Sequence, residues 1–161
     1  MITNTQDWRP RVMMKHSKRL KRRVESYLKY LTKPNPGYND QPICPGLAPY
    51  RHEIQLLMAQ GDLEAQINQI ADVLYPLNIP AAIIYTAMPP TDLWDITDRC
   101  LEDRQNIEIF ISEPDRKGKT RGVFTGFESG TLIIVQRLDL LIKARELAKK
   151  TGYYNQKNAD E

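Results

Sequence analysis

The apolar run Ala81–Ala87 constrains this chain more than any other segment. It is seven residues long, rich in β-branched and aromatic side chains, and closed by Met88-Pro89-Pro90. That length and content read as a strand rather than a buried helix. A strand with no polar face has to be covered on both sides, and in soluble folds helices do that covering. The chain is therefore expected to build an α/β fold, with helices flanking a mixed, mainly parallel sheet.

The flanking sequence supplies those helices and further strands. His52–Met58 reads as a strand. Asp62 is placed to cap a helix running to about Tyr75, with Leu63, Ile67, Ile70, Ala71 and Leu74 on one face. Thr91 is expected to cap a second helix to about Arg104, with Leu93, Ile96, Thr97, Cys100 and Leu101 inward. Ile107, Ile109 and Ile111 alternate with Glu108 and Phe110 as in a strand. Val123–Phe127 and Thr131–Gln136 read as a closing hairpin at one edge of the sheet, turning at Ser129-Gly130. Arg137–Lys150 is the last helix, with Leu138, Leu141, Ile142, Arg145 and Ala148 in phase and Gly152 beyond it.

Ahead of this core lie two other segments. Residues 11–31 carry an apolar stripe (Met13, Ser17, Leu20, Val24, Tyr27 or Leu28, Leu31) at helical spacing, and Pro34 and Pro36-Gly37 stop the helix. Residues 32–50 hold five prolines, which oppose both helix and ladder pairing, so an extended arm is expected. Tyr38, Ile43, Leu47 and Tyr50 favour an arm wrapped on the domain over a free linker. The organisation is then 1–33 basic amphipathic helix, 34–50 Pro-rich arm, 51–152 α/β core and 153–161 polar tail. The core order is β-α-β-α-β-β-β-α. With the short Val123–Phe127 strand discounted, that is the order of the thioredoxin-like topology. The thiol motif of that fold would fall at Ala59-Gln60-Gly61-Asp62, where there is no cysteine, and a fold order does not carry function.

Charge is the second constraint. Residues 1–23 hold eight basic residues and one acid, whereas residues 24–161 hold 15 basic and 19 acidic residues. The net charge of +3 therefore hides a strongly positive N-terminal segment on a mildly acidic body. Such asymmetry points to an anionic partner. Lys15, Lys18, Arg19, Lys21, Arg22 and Arg23 lie mainly off the apolar stripe, where they can run along phosphates. A second basic segment follows the Ile107 strand, with Arg116, Lys117, Lys119 and Arg121. Its Gly118-Lys119-Thr120 lacks the earlier glycine and the following helix of a phosphate-binding loop, so a nucleotide site is not expected there. Tyr27, Tyr30, Phe124, Phe127, Tyr153 and Tyr154 are candidates for stacking bases; Phe124 and Phe127 lie beside this segment, with Phe127 the better core residue.

Other chemistry finds little support. Cys44 and Cys100 are far apart and in no metal-ligand spacing, which excludes the usual zinc patterns and suits a reducing, cytoplasmic setting. A reactive Cys44 would need Arg51 or His52 to lower its pKa. Asp92, Asp95, Asp98, Glu102 and Asp103 share helix faces, and they suit a solvated surface or a basic partner, including the first helix of this or a neighbouring copy. No apolar run is long enough to span a membrane. No catalytic, metal or cofactor motif stands out. The expectation is a small non-enzymatic accessory protein that holds nucleic acid on phosphates. The alternative is a protein-interaction module in which the basic helix serves self-association or an acidic partner.

Overall fold

Two apolar strands sit side by side in the middle of the sheet and organise everything else. The computed structural model describes residues 15–38, 40–112, 119–120, 123–124, 127 and 130–150, with backbone alone at 15–17, 119, 120, 123 and 124. In chain order the elements are α1 (Lys15–Thr32), β1 (Pro34–Asn35), β2 (Gln41–Pro42), β3 (Gln55–Met58), α2 (Leu63–Val73), β4 (Ala81–Thr86), α3 (Trp94–Leu101), β5 (Ile107–Ser112), β6 (Lys119–Thr120), β7 (Val123–Phe124), β8 (Thr131–Arg137) and α4 (Leu138–Lys150). Short 3₁₀ turns occupy Pro36–Tyr38, Ala48–Glu53 and Pro90–Asp92.

The main sheet has the order β3-β4-β8-β5. β3 runs parallel to β4, and β8 is antiparallel to both of its neighbours. The sheet is thus mixed, but not mainly parallel as expected: β3, β4 and β5 point one way, and β8 threads between β4 and β5, so that among the described residues β3–β4 is the one parallel pairing of this sheet. The expected hairpin of Val123–Phe127 with Thr131–Gln136 does not form. Val123–Phe124 pairs instead with Lys119–Thr120, and β8 is an interior strand. The physical reason is that Leu132, Ile133, Ile134 and Val135 are apolar on both faces, which an edge position cannot bury. The spatial order gives the thioredoxin-like analogy no further support.

Alternation along β4 and β8 divides the core into two layers. Ala82, Ile84, Ile133 and Val135 join Ile67, Ile70, Leu74, Leu93 and Cys100 of the α2–α3 side. Ala81, Ile83, Leu132 and Ile134 face the other way, onto Val24 and Leu28 of α1 together with Leu47, Ile54 and Phe127. A third cluster joins Leu31 of α1, Tyr38 and Ile43 of the arm, and Ala148 of α4. The helices therefore flank both faces, as an all-apolar central strand demands. Among the described residues no helix is long and apolar enough to cross a membrane.

Several local expectations shift. The strand expected from His52 begins at Gln55, because Pro49 helps set a 3₁₀ turn through Glu53. Thr91 does not cap α3; it sits in the Pro90–Asp92 turn, and the helix starts at Trp94 behind Leu93. Asp62 does cap α2, its Oδ1 accepting from the Ala65 N–H at 3.3 Å. The arm is wrapped, with Tyr38, Ile43 and Leu47 buried. It is folded back rather than extended: Pro34 and Asn35 pair with Pro42 and Gln41, and the turn passes through Asp40 at φ 60°. On α4 the buried stripe is Leu141, Ala144 and Ala148, while Ile142 is 48% exposed.

Arg137 locks the end of β8 to its surroundings. Its Nη2 and Nε donate to the Asp139 carboxylate at 2.7 and 3.0 Å, its Nη1 reaches Asn78 at 3.0 Å, and the guanidinium lies 4.4 Å from the Tyr75 ring centre. Arg137→Ala should lower stability by about 1–2 kcal/mol near neutral pH, since a two-pronged charge-assisted contact is lost at a partly exposed site. The Arg137 hydrogen bonds hold the Asp139 carboxyl below its usual 3.8. The native state therefore releases that proton more readily than the unfolded chain. The contribution is full above the ordinary aspartate pKa and fades as pH falls below it. Denaturation curves of the two proteins should converge in acid. A difference that persists at low pH would show that Arg137 acts through packing alone.

Candidate nucleic-acid interface

α1 owes its placement to its own periodicity. Val24, Leu28 and Leu31 recur at intervals of four and three residues, and all three are buried. Contacts along the helix show how it lies. Leu20, Lys21 and Val24 line a small cleft with Leu56, Leu57, Met58 and Ile83, so this stretch sits over the C-terminal end of β3. Tyr27 packs on Phe127 with ring centres 5.2 Å apart. Leu31 meets Ala148 of α4. The helix thus crosses one face of the sheet from the β3 edge toward α4.

With the stripe fixed inward, the 3.6-residue turn decides where the cations go. Positions 15, 18, 22 and 29 fall opposite the stripe. Arg19 and Arg23 flank that row on one side and Lys21 on the other, beside the cleft. Lys18, Arg19, Lys21, Arg22, Arg23 and Lys29 are all exposed. Glu25 and Ser26 share the outward face and interrupt the row. Among the described residues, Lys18, Arg19, Lys21 and Arg22 form no ion pair with a carboxylate, whereas Arg99, Arg104 and Arg137 do. Lys29, off the apolar stripe by its helical phase, is exposed on the same face beyond the densest cluster.

The second basic segment is only partly visible. Lys119 is the first residue of β6, described in backbone alone, and Arg116, Lys117 and Arg121 lie outside the described residues. Its anchors are defined. The chain leaves the sheet at Ser112, opposite Leu132, and is back against α1 at Phe127, which is 5% exposed. Phe127 is therefore a core residue and takes no part in stacking; the Phe124 side chain, Tyr153 and Tyr154 lie outside the description.

Cys44 is part of the packing between arm and helix. Its N–H donates to the Leu31 carbonyl at 2.8 Å, tying the arm to the end of α1. Burial pushes its thiol up to about 11, and the Gly46 and Leu47 N–H groups only partly offset this. His52 is exposed and pairs with Arg51, whose Nη2 lies 3.1 Å from Nε2. Neither residue lowers the Cys44 pKa, so the arrangement is not that of a nucleophile. At pH 8 the folded chain should react with a thiol reagent at Cys44 about a hundredfold more slowly than an unstructured thiol, as the shift from 9.0 to about 11 requires. Denaturant should restore the normal rate, and fast labelling of the folded chain would show that the enclosure is wrong. Cys100 is buried in the α2–α3 layer, with its sulfur 3.8 Å from the Glu64 carbonyl.

The chain matches no protein-family model, no curated protein and no solved structure.

Proposed function

We propose that this protein binds nucleic acid through the outward face of α1, by contacts to phosphates and with little preference for sequence. One observation carries the reading: docking the apolar stripe on the sheet turns Lys18, Arg19, Lys21 and Arg22 to solvent, with no carboxylate of the described residues paired to them. A helix held in this way keeps its cations in a fixed, closely spaced array. Such an array displaces condensed counterions from a polyanion, and the gain is largest at low salt. Arg116, Lys117, Lys119 and Arg121 are proposed as a second set of phosphate contacts, carried by the segment that Phe127 anchors to α1.

The test is a salt titration of the full chain against a random duplex and a random single strand, followed by fluorescence anisotropy. The four α1 contacts alone give a slope of log K on log salt near −3.6 for duplex, so affinity should fall at least about 150-fold between about 50 and about 200 mM salt, and more steeply as the 116–121 cations engage. The single strand should show a shallower slope, near −2.8. No retention at the lowest salt, or binding that ignores salt, would overturn the proposal.

A further inference from the structure

We propose that the outward face of α3 is a docking surface for α1 of a second copy of this chain. On α3, Leu93, Thr97 and Cys100 are buried, which turns positions 95, 98 and 102 outward. Asp95, Asp98 and Glu102 occupy them, and all three are exposed. The cations nearest in sequence are engaged elsewhere. Arg99 donates to Glu64 at 2.8 Å and Arg104 to Asp72 at 2.7 Å, both on α2. Asp95 acts on Arg99 only as a weaker Coulombic neighbour than Glu64. Among the described residues no ion pair is made by Asp95, Asp98 or Glu102.

The complement is on the other side of the molecule. Positions 15, 18 and 22 of α1 are Lys, Lys and Arg, spaced by three and then four residues, and 95, 98 and 102 repeat that spacing with Asp, Asp and Glu. Lys18 and Arg22 are exposed on α1, and Asp95 and Asp98 are exposed on α3 with Glu102 exposed just past its end; each row spans about 10.5 Å at the helical rise. The two helices pack on opposite faces of the sheet, α1 with Ala81 and Ile83, and α3 with Ala82 and Ile84. They cannot meet within one chain, but they can meet between two. Trp94 borders the acidic row and is 50% exposed, a large aromatic face on which an arginine of the incoming helix can stack. Because the two surfaces differ, the contact is head-to-tail and adds copies in a chain or a ring. Exposed ion pairs are individually weak and screened by salt, so the assembly forms at high protein concentration and low ionic strength. A polyanion bound to α1 occupies the same cations, so nucleic acid disperses the assembly.

Sedimentation equilibrium of the full chain tests this. Wild-type mass should rise with concentration at low salt and return to the monomer at high salt. Asp95→Asn with Asp98→Asn and Glu102→Gln should stay monomeric, with an unchanged circular dichroism spectrum and retention of random duplex at least equal to wild type, since the competing contact is gone. Two charge-reversed chains sharpen the result. One carries Asp95→Lys, Asp98→Lys and Glu102→Lys; the other carries Lys18→Glu and Arg22→Glu. Each alone should be monomeric, because its two rows carry the same charge, and their mixture should associate at low salt, because each row of one chain then meets an oppositely charged row of the other. A monomeric wild type at low salt overturns the proposal. So does a neutralised acidic face that still associates, or a mixture of the two reversed chains that stays monomeric. Duplex retention by the acidic-face variants reports on α1 separately, so the two readings fail independently.

Discussion

Replacing Ile133 by alanine should lower the free energy of unfolding by about 2–5 kcal/mol, the range for a fully enclosed isoleucine. Ile133 is 0% exposed in the interior strand β8. It stands in register between Ile84 of β4 and Ile111 of β5, and it belongs to the cluster that includes Ile67, Ile70 and Leu74. Its neighbours on both strands are held by ladder hydrogen bonds, so they cannot collapse into the space left behind. The loss then includes a cavity contribution of about 24 cal/mol for each Å³ that stays empty, on top of the lost transfer of the deleted groups from water. For a domain of this size that corresponds to a fall in Tm of very roughly 5–15 °C. Ile142→Ala is the control, since Ile142 is 48% exposed on α4. It should change stability by less than about 0.5 kcal/mol. Equal effects at the two sites would contradict the placement of β8 inside the sheet.

That placement marks the boundary of what the sequence reveals. The α/β class and the flanking helices follow from Ala81–Ala87 alone, because a strand apolar on both faces dictates its own cover. The same logic applies to Leu132–Val135, yet the short spacing from Val123 and the Ser129-Gly130 pair favour a local hairpin. Proximity in sequence competes with burial here, and burial prevails: an edge would leave one side of Ile133 or Ile134 in water. Gly130 does mark a special backbone position, at φ +144° and packed so closely on the Tyr85 ring that a Cβ would overlap it. It leads into an interior strand rather than closing the hairpin. Helix phase is legible where one face is uniformly apolar, as with Leu63, Ile67, Ile70 and Leu74. It is less legible in α4, where small Ala144 and Ala148 take the close contacts while larger Ile142 and Leu147 stay outside. The α1 cations are legible as a cluster, but their outward direction depends on which residues dock, and that is a tertiary fact. The matching of the 15-18-22 and 95-98-102 rows is present in the sequence too. It acquires meaning once α1 and α3 are known to lie on opposite faces.

Glutamine at positions 18, 19, 21 and 22 together should remove most of the affinity for random duplex. Between about 50 mM and 1 M salt, a slope near −3.6 amounts to more than four decades, and this is the part of the binding that four phosphate contacts supply. The variant Lys18→Gln/Arg19→Gln/Lys21→Gln/Arg22→Gln should therefore bind at least about 10³-fold more weakly at 50 mM, with its slope shallower than wild type by about 3.6. Glutamine is chosen because it has nearly the helix propensity of lysine and arginine, and because it adds no repulsion of its own. All four side chains are exposed, and the stripe of Val24, Leu28 and Leu31 is untouched, so α1 should stay docked and the melting curve should hold its midpoint. The slope is the decisive readout. A structural defect would lower affinity and stability together, whereas removal of phosphate contacts flattens the salt dependence at constant stability. Wild-type slope and affinity in the glutamine variant would move the binding surface away from α1, and the 116–121 cations would be the next to neutralise. An intermediate slope would count the contacts directly, at about 0.9 for each phosphate still engaged.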